Sequence, residues 1–270
     1  MADEQVTVGG EAANSCLAWS RWGLKVLLLG AVLGEDERAD WLLERLSELP
    51  GLDATHLERD ANASTPYCHI MATPDGERTM FGRHFRAMRG QKIASLPEAR
   101  LFTLDPYCGE NAWEAAALAK KAGMPVLAMD ALGYAELAGC SSVIVTSYQE
   151  LHLGLVPEKV MDFASAKAAE LAVTVVVTLG PEGSAAFDQE GQLLHRQAAI
   201  VPPRIVDATG CGDVYRAGLA SGMAKGWSLP QSMAFASAAA SCNLMSAGGG
   251  SSILPLEDTL KAAETGVIAP

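Results

Sequence analysis

Short apolar runs alternate along the chain with longer stretches whose apolar residues recur every three to four positions. Residues 24–29 (LKVLLL), 100–104, 126–129, 142–145 and 173–178 are the apolar runs. Runs this short and this continuous read as strands buried on both faces. Between them, Trp41-Leu-Leu-Glu-Arg-Leu46, residues 110–122 and residues 159–172 carry helical spacing, and Gly123 supplies a natural helix stop. Such a succession requires a mostly parallel sheet covered by helices on both sides, an α/β architecture. Two hairpins break the alternation. Residues 67–72 and 77–82 flank the turn sequence Thr73-Pro-Asp-Gly76, and residues 185–187 and 192–195 flank Asp188-Gln-Glu-Gly191. The first is expected to form a small sheet of its own, the second to extend an edge of the main one. No linker divides the chain, so residues 1–270 are expected to be one domain with a β appendage at about 64–84.

Chemistry concentrates in the last third. A short strand expected at Ile205-Val206 runs into Asp207-Ala-Thr-Gly-Cys-Gly-Asp213, and a helix of small residues follows from Val214 to Lys225, stopped by Gly226. A strand, a glycine-rich turn and a helix start gather backbone N–H groups at one point, and the helix dipole adds favourable potential for an anion there. Asp213, in the first turn, is placed to take the proton of a hydroxyl attacking a phosphoryl group. The same spacing is also met by a plain glycine turn with Asp213 as a helix cap. Ser228-Leu-Pro-Gln231 is a capping box that starts a second helix running to about Met245. That helix is small-sided at residues 236–241 and ends in Gly248-Gly-Gly-Ser-Ser252, which suits either close helix packing or a flat ligand.

Composition narrows the choices. In 270 residues, 49% hydrophobic and 19% charged, there is ample material for a core, which excludes a disordered chain. A net charge of −12 argues against nucleic acid as a partner while leaving a local anion site open. The cysteines at 16, 68, 108, 140, 211 and 242 contain no C-x-x-C pair, so no zinc cluster or redox motif is written here. The longest apolar stretch, residues 26–33, falls short of the ~20 that a membrane helix needs, and the N-terminus is acidic where a signal peptide would be basic. The chain therefore reads as soluble and cytoplasmic, with no membrane partner. The histidines at 56, 69, 84, 152 and 195 have no metal-ligand spacing, no G-x-S-x-G is present, and Gly210-Cys-Gly-Asp-Val-Tyr lacks the third glycine of a dinucleotide fingerprint.

Asp207-Ala-Thr-Gly-Cys-Gly-Asp-Val-Tyr-Arg-Ala-Gly218 resembles the D-T-x-G-A-G-D-x-F-x-A-G signature of the ribokinase-like (PfkB) carbohydrate kinases. Gly9-Gly-Glu-Ala-Ala-Asn14 is similar to that family's G-G-x-x-x-N motif, and Gly30-Ala-Val-Leu-Gly34-Glu-Asp36 to its G-x-x-G-x-D with one more residue between the glycines. Thr178-Leu-Gly-Pro-Glu-Gly183 is similar to its T-x-G-x-x-G nucleotide loop. These motifs come in the family's order and span nearly the whole chain. The resemblance implies a ribokinase-like α/β fold: a central, mostly parallel sheet with helices on both faces and a small, partial β lid. It also implies transfer of the γ-phosphoryl of ATP to a hydroxyl of a small sugar, a ketose or pentose first, with a nucleoside acceptor or a non-catalytic nucleotide- or sugar-binding chain as alternatives. By the same carry-over, Asp213 is the base, and the backbone at 208–212, including Gly210, Cys211 and Gly212, is the anion hole. Thr178, Gly180, Gly183, Ser147 and Glu150 lie along the nucleotide phosphates, and Ser237 lies near the adenine. Gly9, Gly10 and Asn14 face the acceptor's hydroxyls. Asp207, Thr209, Asn243, Ser246, Gly248 and Ser252 occupy positions of a K⁺ site, and Mg²⁺ arrives with ATP. A homodimer through lid strands is implied as well.

The chain departs from the family pattern in four places. Cys211 replaces an alanine in the anion hole, read as an inert small residue rather than a regulatory thiol. Ser147-Tyr-Gln-Glu150 stands where the family has N-x-x-E, which weakens the magnesium-and-phosphate motif without abolishing it. Tyr215 and Arg216 fill positions that are usually phenylalanine and variable, and Tyr215 is expected to serve packing. Finally, the sequence starts almost at Gly9-Gly10, so the family's first strand, with its sugar-binding aspartate, and part of the lid are expected to be missing. Residues 67–82 are then the best candidate for what remains of the lid, and either the sequence is truncated at its start or the acceptor site is reduced.

Overall fold

The computed structural model describes residues 4–73, 78–148, 151, 157–250 and 252–268. In chain order its first part gives α1 (Glu11–Arg21), β1 (Val26–Leu27), β2 (Leu33–Gly34), α2 (Glu37–Ser47), β3 (Leu52–Asp53), β4 (Arg59–Asp60), β5 (Tyr67–Ala72) and β6 (Arg78–Arg83). Next come β7 (Phe102–Leu104), α3 (Glu110–Lys121), β8 (Val126–Met129), α4 (Ala135–Cys140), β9 (Val143–Ser147), α5 (Pro157–Leu171) and β10 (Thr174–Thr178). The chain closes with β11 (Ser184–Phe187), β12 (Leu193–Gln197), α6 (Cys211–Lys225), α7 (Leu229–Asn243) and α8 (Leu256–Thr265).

Among the described residues the main sheet has six strands in the order β12-β11-β10-β9-β8-β7. Strands β7 to β10 are mutually parallel, and β11 and β12 turn back antiparallel at one edge, where the second hairpin was expected. The continuous apolar character of the parallel strands has a direct cause. Side chains alternate between two faces, and both faces are buried here. Leu127, Val143, Val145 and Val176 enter one core with Trp19, Val214, Leu219 and Phe235 from α1, α6 and α7. Val126, Ala128, Ile144, Val175 and Val177 enter the other with Ala116, Ala119, Val160, Ala164 and Ala168 from α3 and α5. The helices do lie on both faces, as the sequence requires.

The small-sided α7 packs against α6. A methyl added at Gly218 would lie 2.6 Å from Ala236 Cα, and one at Gly222 would lie 2.2 Å from Ser232 Oγ. Of the two uses open to this helix, close packing is realised along that stripe. Both bonds of the Ser228–Gln231 capping box are formed.

Two strand expectations are corrected. Of residues 24–29 only β1 is a strand, and it pairs in parallel with β3 rather than with the main sheet. Ile205-Val206 is not a strand. Pro202 and Pro203 just before it lack the N–H groups a ladder needs, and the Val206 amide instead donates to Leu244 O at 2.7 Å, beyond the end of α7. The helix expected from Val214 also begins three residues earlier, at Cys211. The first hairpin stands apart as expected: among the described residues β5 and β6 pair only with each other, from Tyr67↔Arg83 to Ala72↔Arg78. Most of its turn, residues 74–77, lies outside the described residues.

Candidate active site

Open α/β sheets present their chemistry beyond the carboxyl ends of the parallel strands. There, Asp105 follows β7, Asp130 follows β8, Ser147 ends β9 and Thr178 ends β10. The start of α6 comes to the same edge, where a methyl at Gly212 would lie 3.4 Å from Met129 Cε. Gly210 precedes α6 at φ +74, a left-handed conformation that suits glycine, and no side chain caps this helix end among the described residues. The positive end of the helix dipole therefore points into the site.

Two buried side chains hold the 207–213 turn. The carboxylate of Asp207 accepts from Thr209 N and Oγ1 at 2.8 and 2.7 Å, and from Gly248 N at 2.9 Å. Asn243, fully buried, donates to Thr209 O at 2.8 Å and to Cys211 Sγ at 3.5 Å, and accepts from Gly250 N at 2.8 Å. Ser246 and Ser252 share a hydroxyl hydrogen bond. The six residues tied by resemblance to K⁺ thus lie close together, with Asp207 and Asn243 lacing the turn to Gly248 and Gly250. What the cluster would offer a monovalent cation is one carboxylate and loop oxygens, a donor set that fits such an ion.

Asp213 is 7% exposed and Asn14 is 5% exposed. Asn14 Nδ2 donates to Asp213 Oδ2 at 2.6 Å, so the G-G-x-x-x-N motif and the proposed base meet across 199 residues of sequence. Asn14 Oδ1 is buried with no hydrogen-bond partner among the described residues. Gly249 crosses directly over this pair: a methyl there would lie 2.5 Å from Asn14 Nδ2. Gly9, Gly10, Asn14, Asp207, Thr209 and Gly248 line one cavity of about 2620 Å³, whose wall also includes β5. That is roomier than the ~300–1,000 Å³ usual for a small-molecule site.

The nucleotide residues form a second group. Ser147 and Thr178 stand side by side in the β9–β10 register. Gly180 and Gly183 flank a short turn at φ +60 and +86, and a methyl at Gly183 would fall 2.0 Å from Gln197 O. Ser237 Oγ, on α7, donates to Ala198 O at 3.3 Å, so Gly183 and Ser237 converge on residues 197–199. Glu150 lies outside the described residues. Among those described, no cluster of three or more His, Cys, Asp or Glu is shaped to hold a metal ion.

Sequence reasoning missed several residues around Asp213. Asp105 and Asp130 each follow an apolar run directly, and a carboxylate at the end of a parallel strand was a legible signal. Asp130 adopts φ +51, and its Oδ1 accepts from Thr146 Oγ1 at 2.6 Å. Glu11, Ser15 and Arg216 carried no such signal. Glu11 is pushed up to about 9, first by burial, then by the nearby Asp105 and Asp213 charges, with Arg216 opposing and Asp130 adding to the rise. Tyr215 packs, as expected, and its hydroxyl also shares a 2.8 Å hydrogen bond with Ser184 Oγ. Burial pushes that phenol's pKa up.

A family model described as pfkB family carbohydrate kinase matches residues 2–256. The bifunctional protein HldE of Azorhizobium caulinodans is 31% identical over 258 residues, covering 88% of this chain and 53% of that protein, so the chain spans about half of HldE. A nucleoside kinase of Methanothermobacter thermautotrophicus is 29% identical over 246 residues, covering 86% of this chain and 77% of that one. The structure of Arabidopsis thaliana ribokinase complexed with ribose and ATP superposes with a TM-score of 0.79 at 25% identity, over 95% of this chain and 87% of the other. Its sheet and helices arranged as in ribokinase, and matched by the family model over nearly its whole length, the chain belongs to the pfkB family of carbohydrate kinases.

Proposed function

We propose that this chain transfers the γ-phosphoryl of ATP to a hydroxyl of a small sugar, with Asp213 as general base. The 2.6 Å contact between Asn14 and Asp213 carries the reading. It puts an acceptor-binding motif and a carboxylate together, beside a helix N-terminus suited to phosphoryl charge. In the reaction the acceptor O–H bond breaks, its proton passes to the Asp213 carboxylate, and the oxygen bonds to phosphorus as ADP leaves. Asn14 orients the carboxylate through Nδ2, and its buried, unmatched Oδ1 suits a donor hydroxyl of the acceptor. The 208–212 backbone and the α6 dipole stabilise charge on the transferring group. Mg²⁺, when bound with ATP, neutralises phosphate charge.

A nucleoside acceptor is the second reading, favoured by the nucleoside kinase relative. The β5–β6 hairpin serves as the lid, since residues 67–72 line the cavity. Its exposed Ile70, Met71, Met80 and Phe81 suit a homodimer contact. No helix among the described residues is long and apolar enough to cross a membrane.

The test is ADP release over a panel of sugars and nucleosides with Mg²⁺ and K⁺, beside Asp213→Asn. Acceptor-dependent turnover should fall about 10²–10⁴-fold in the variant, the range for removing a general base, while ATP affinity stays within a few-fold. Equal turnover by variant and wild type would remove Asp213 from the mechanism. Nucleotide binding without turnover on any acceptor would favour a non-catalytic binding protein.

A further inference from the structure

Arg216 lies one helical turn beyond Asp213 on α6 and is 1% exposed. A guanidinium keeps its charge at any ordinary pH, so its burial requires partners. Those partners are on α1. Arg216 Nη2 and Nε donate to Ser15 Oγ at 2.9 and 3.3 Å, and Nη1 is 3.8 Å from Glu11 Oε2. With its oxygen occupied by the guanidinium, the Ser15 hydroxyl has one proton to give. The acceptors in reach are the backbone carbonyls of Asp213, at 3.1 Å, and Glu11, at 3.0 Å. Consecutive residues of α1 thus reach Asp213 twice, Asn14 Nδ2 at the carboxylate and Ser15 Oγ, when its proton turns from Glu11 O, at the main-chain carbonyl. Apart from this cluster, the interface between α1 and α6 is largely apolar, with one further polar tie from Trp19 Nε1 to Ala217 O at 3.0 Å.

Nothing in an anion-binding turn calls for arginine at position 216. The acidic groups gathered near Glu11, namely Asp105, Asp130 and Asp213, do call for a cation close by.

We infer that Arg216 is a positioning residue for the base: it acts on Asp213 through Ser15 and does not itself contact substrate. This rests on the reading of Asp213 as the base.

The test compares Arg216→Gln, Ser15→Ala and their double variant with wild type and Asp213→Asn. Each variant is first checked for folding by circular dichroism and a melting curve. Steady-state kinetics are then measured with ATP and the best acceptor. Side-chain carboxyl ¹³C resonances are titrated in parallel, with the Asp213 signal assigned from its absence in Asp213→Asn. Arg216→Gln and Ser15→Ala should each lower kcat on the order of tenfold, the scale of a slightly misplaced catalytic group, with both KM values within about twofold. The double variant should be no worse than the poorer single, because the two residues act along one path. The Asp213 carboxyl should titrate higher in Arg216→Gln, because a positive charge has been lost from the cluster in which both act on Glu11. A wild-type kcat in folded Ser15→Ala would overturn the proposal, as would a loss confined to the acceptor KM. If Asp213→Asn is itself fully active, the base reading fails. The carboxyl titration then decides the positioning claim alone, and an unmoved Asp213 signal sinks it. Ser15→Ala removes a single oxygen and keeps the test open if Arg216→Gln does not fold.

Discussion

Gly210→Ala asks whether the turn before α6 is held by contact or only by its own conformation. Gly210 sits at φ +74, where an L side chain is disfavoured by about 1–2 kcal/mol. The added methyl would also lie 2.6 Å from Gly249 Cα and 3.2 Å from Asn14 Nδ2. The first neighbour is backbone and cannot rotate away. It can retreat only by pulling Gly248 N from Asp207 Oδ2 or Gly250 N from Asn243 Oδ1, now at 2.9 and 2.8 Å. Losing one such bond with a buried partner left unmatched costs about 1–3 kcal/mol. Gly226→Ala is the matched control: its φ is +72, and a methyl there meets nothing within 4 Å. The conformational penalty and the entropy removed from the unfolded chain are shared by both variants, so their difference isolates the contact, about 2 kcal/mol. For a domain of this size that separates the melting temperatures by about 4–8 °C. Thermal and urea melts of the two variants measure it, and turnover should fall in Gly210→Ala alone because Asn14 is pushed from Asp213. Equal melting of the two would refute the packing of Gly249 over the turn.

Glu11 and Tyr215 give two further tests. Glu11 rises from 4.5 to about 9 on folding, so between those values the folded chain holds a proton that the unfolded chain has lost. Its contribution to stability is greatest below about 4.5 and falls as pH climbs through this window, by at most about 1.4 kcal/mol per unit. Glu11→Gln has no proton to lose, so its urea-derived stability should decline less steeply from pH 5 to 9, and parallel curves for the two proteins would contradict the assignment. Tyr215→Phe strands the buried Ser184 hydroxyl and should destabilise by about 1–3 kcal/mol. Adding Ser184→Ala should cost less than it does alone, whereas strict additivity would show that the pair does not interact.

The parallel sheet was legible because its signal is local. Val175, Val176 and Val177 point to two different cores and must all be apolar, which writes a continuous run into five residues. The β5–β6 hairpin was legible for the same reason, through alternation and a turn sequence. The failures come where neighbours outside the window decide. Residues 24–29 look like a central strand, yet β1 finds only β3 beside it. Ile205 and Val206 have strand-like side chains, yet the chain there is tied to the end of α7. In each case composition was read correctly and pairing was decided elsewhere.

The site divides along the same line. Gly210, Gly212 and Asp213 announce themselves in one short segment, because an anion turn is built from consecutive backbone groups. What makes the turn a site is written far from it. Asn14 reaches Asp213 across 199 residues, and Arg216 reaches Ser15 across 201. Asp207 and Asn243 fasten the turn to the 246–252 loop. No spacing rule predicts these, because they arise from the docking of α1 and α7 against α6, and that docking is driven by Trp19, Leu219 and Phe235 in the shared core. The setting of the proposed base, Asp213, is therefore not a property of its motif. Without α1, Asp213 would lose its carboxylate partner and its main-chain support together, and the buried Arg216 would lose its acceptors. A change that loosens α1 from the core should then disable the site while leaving the 207–213 sequence untouched.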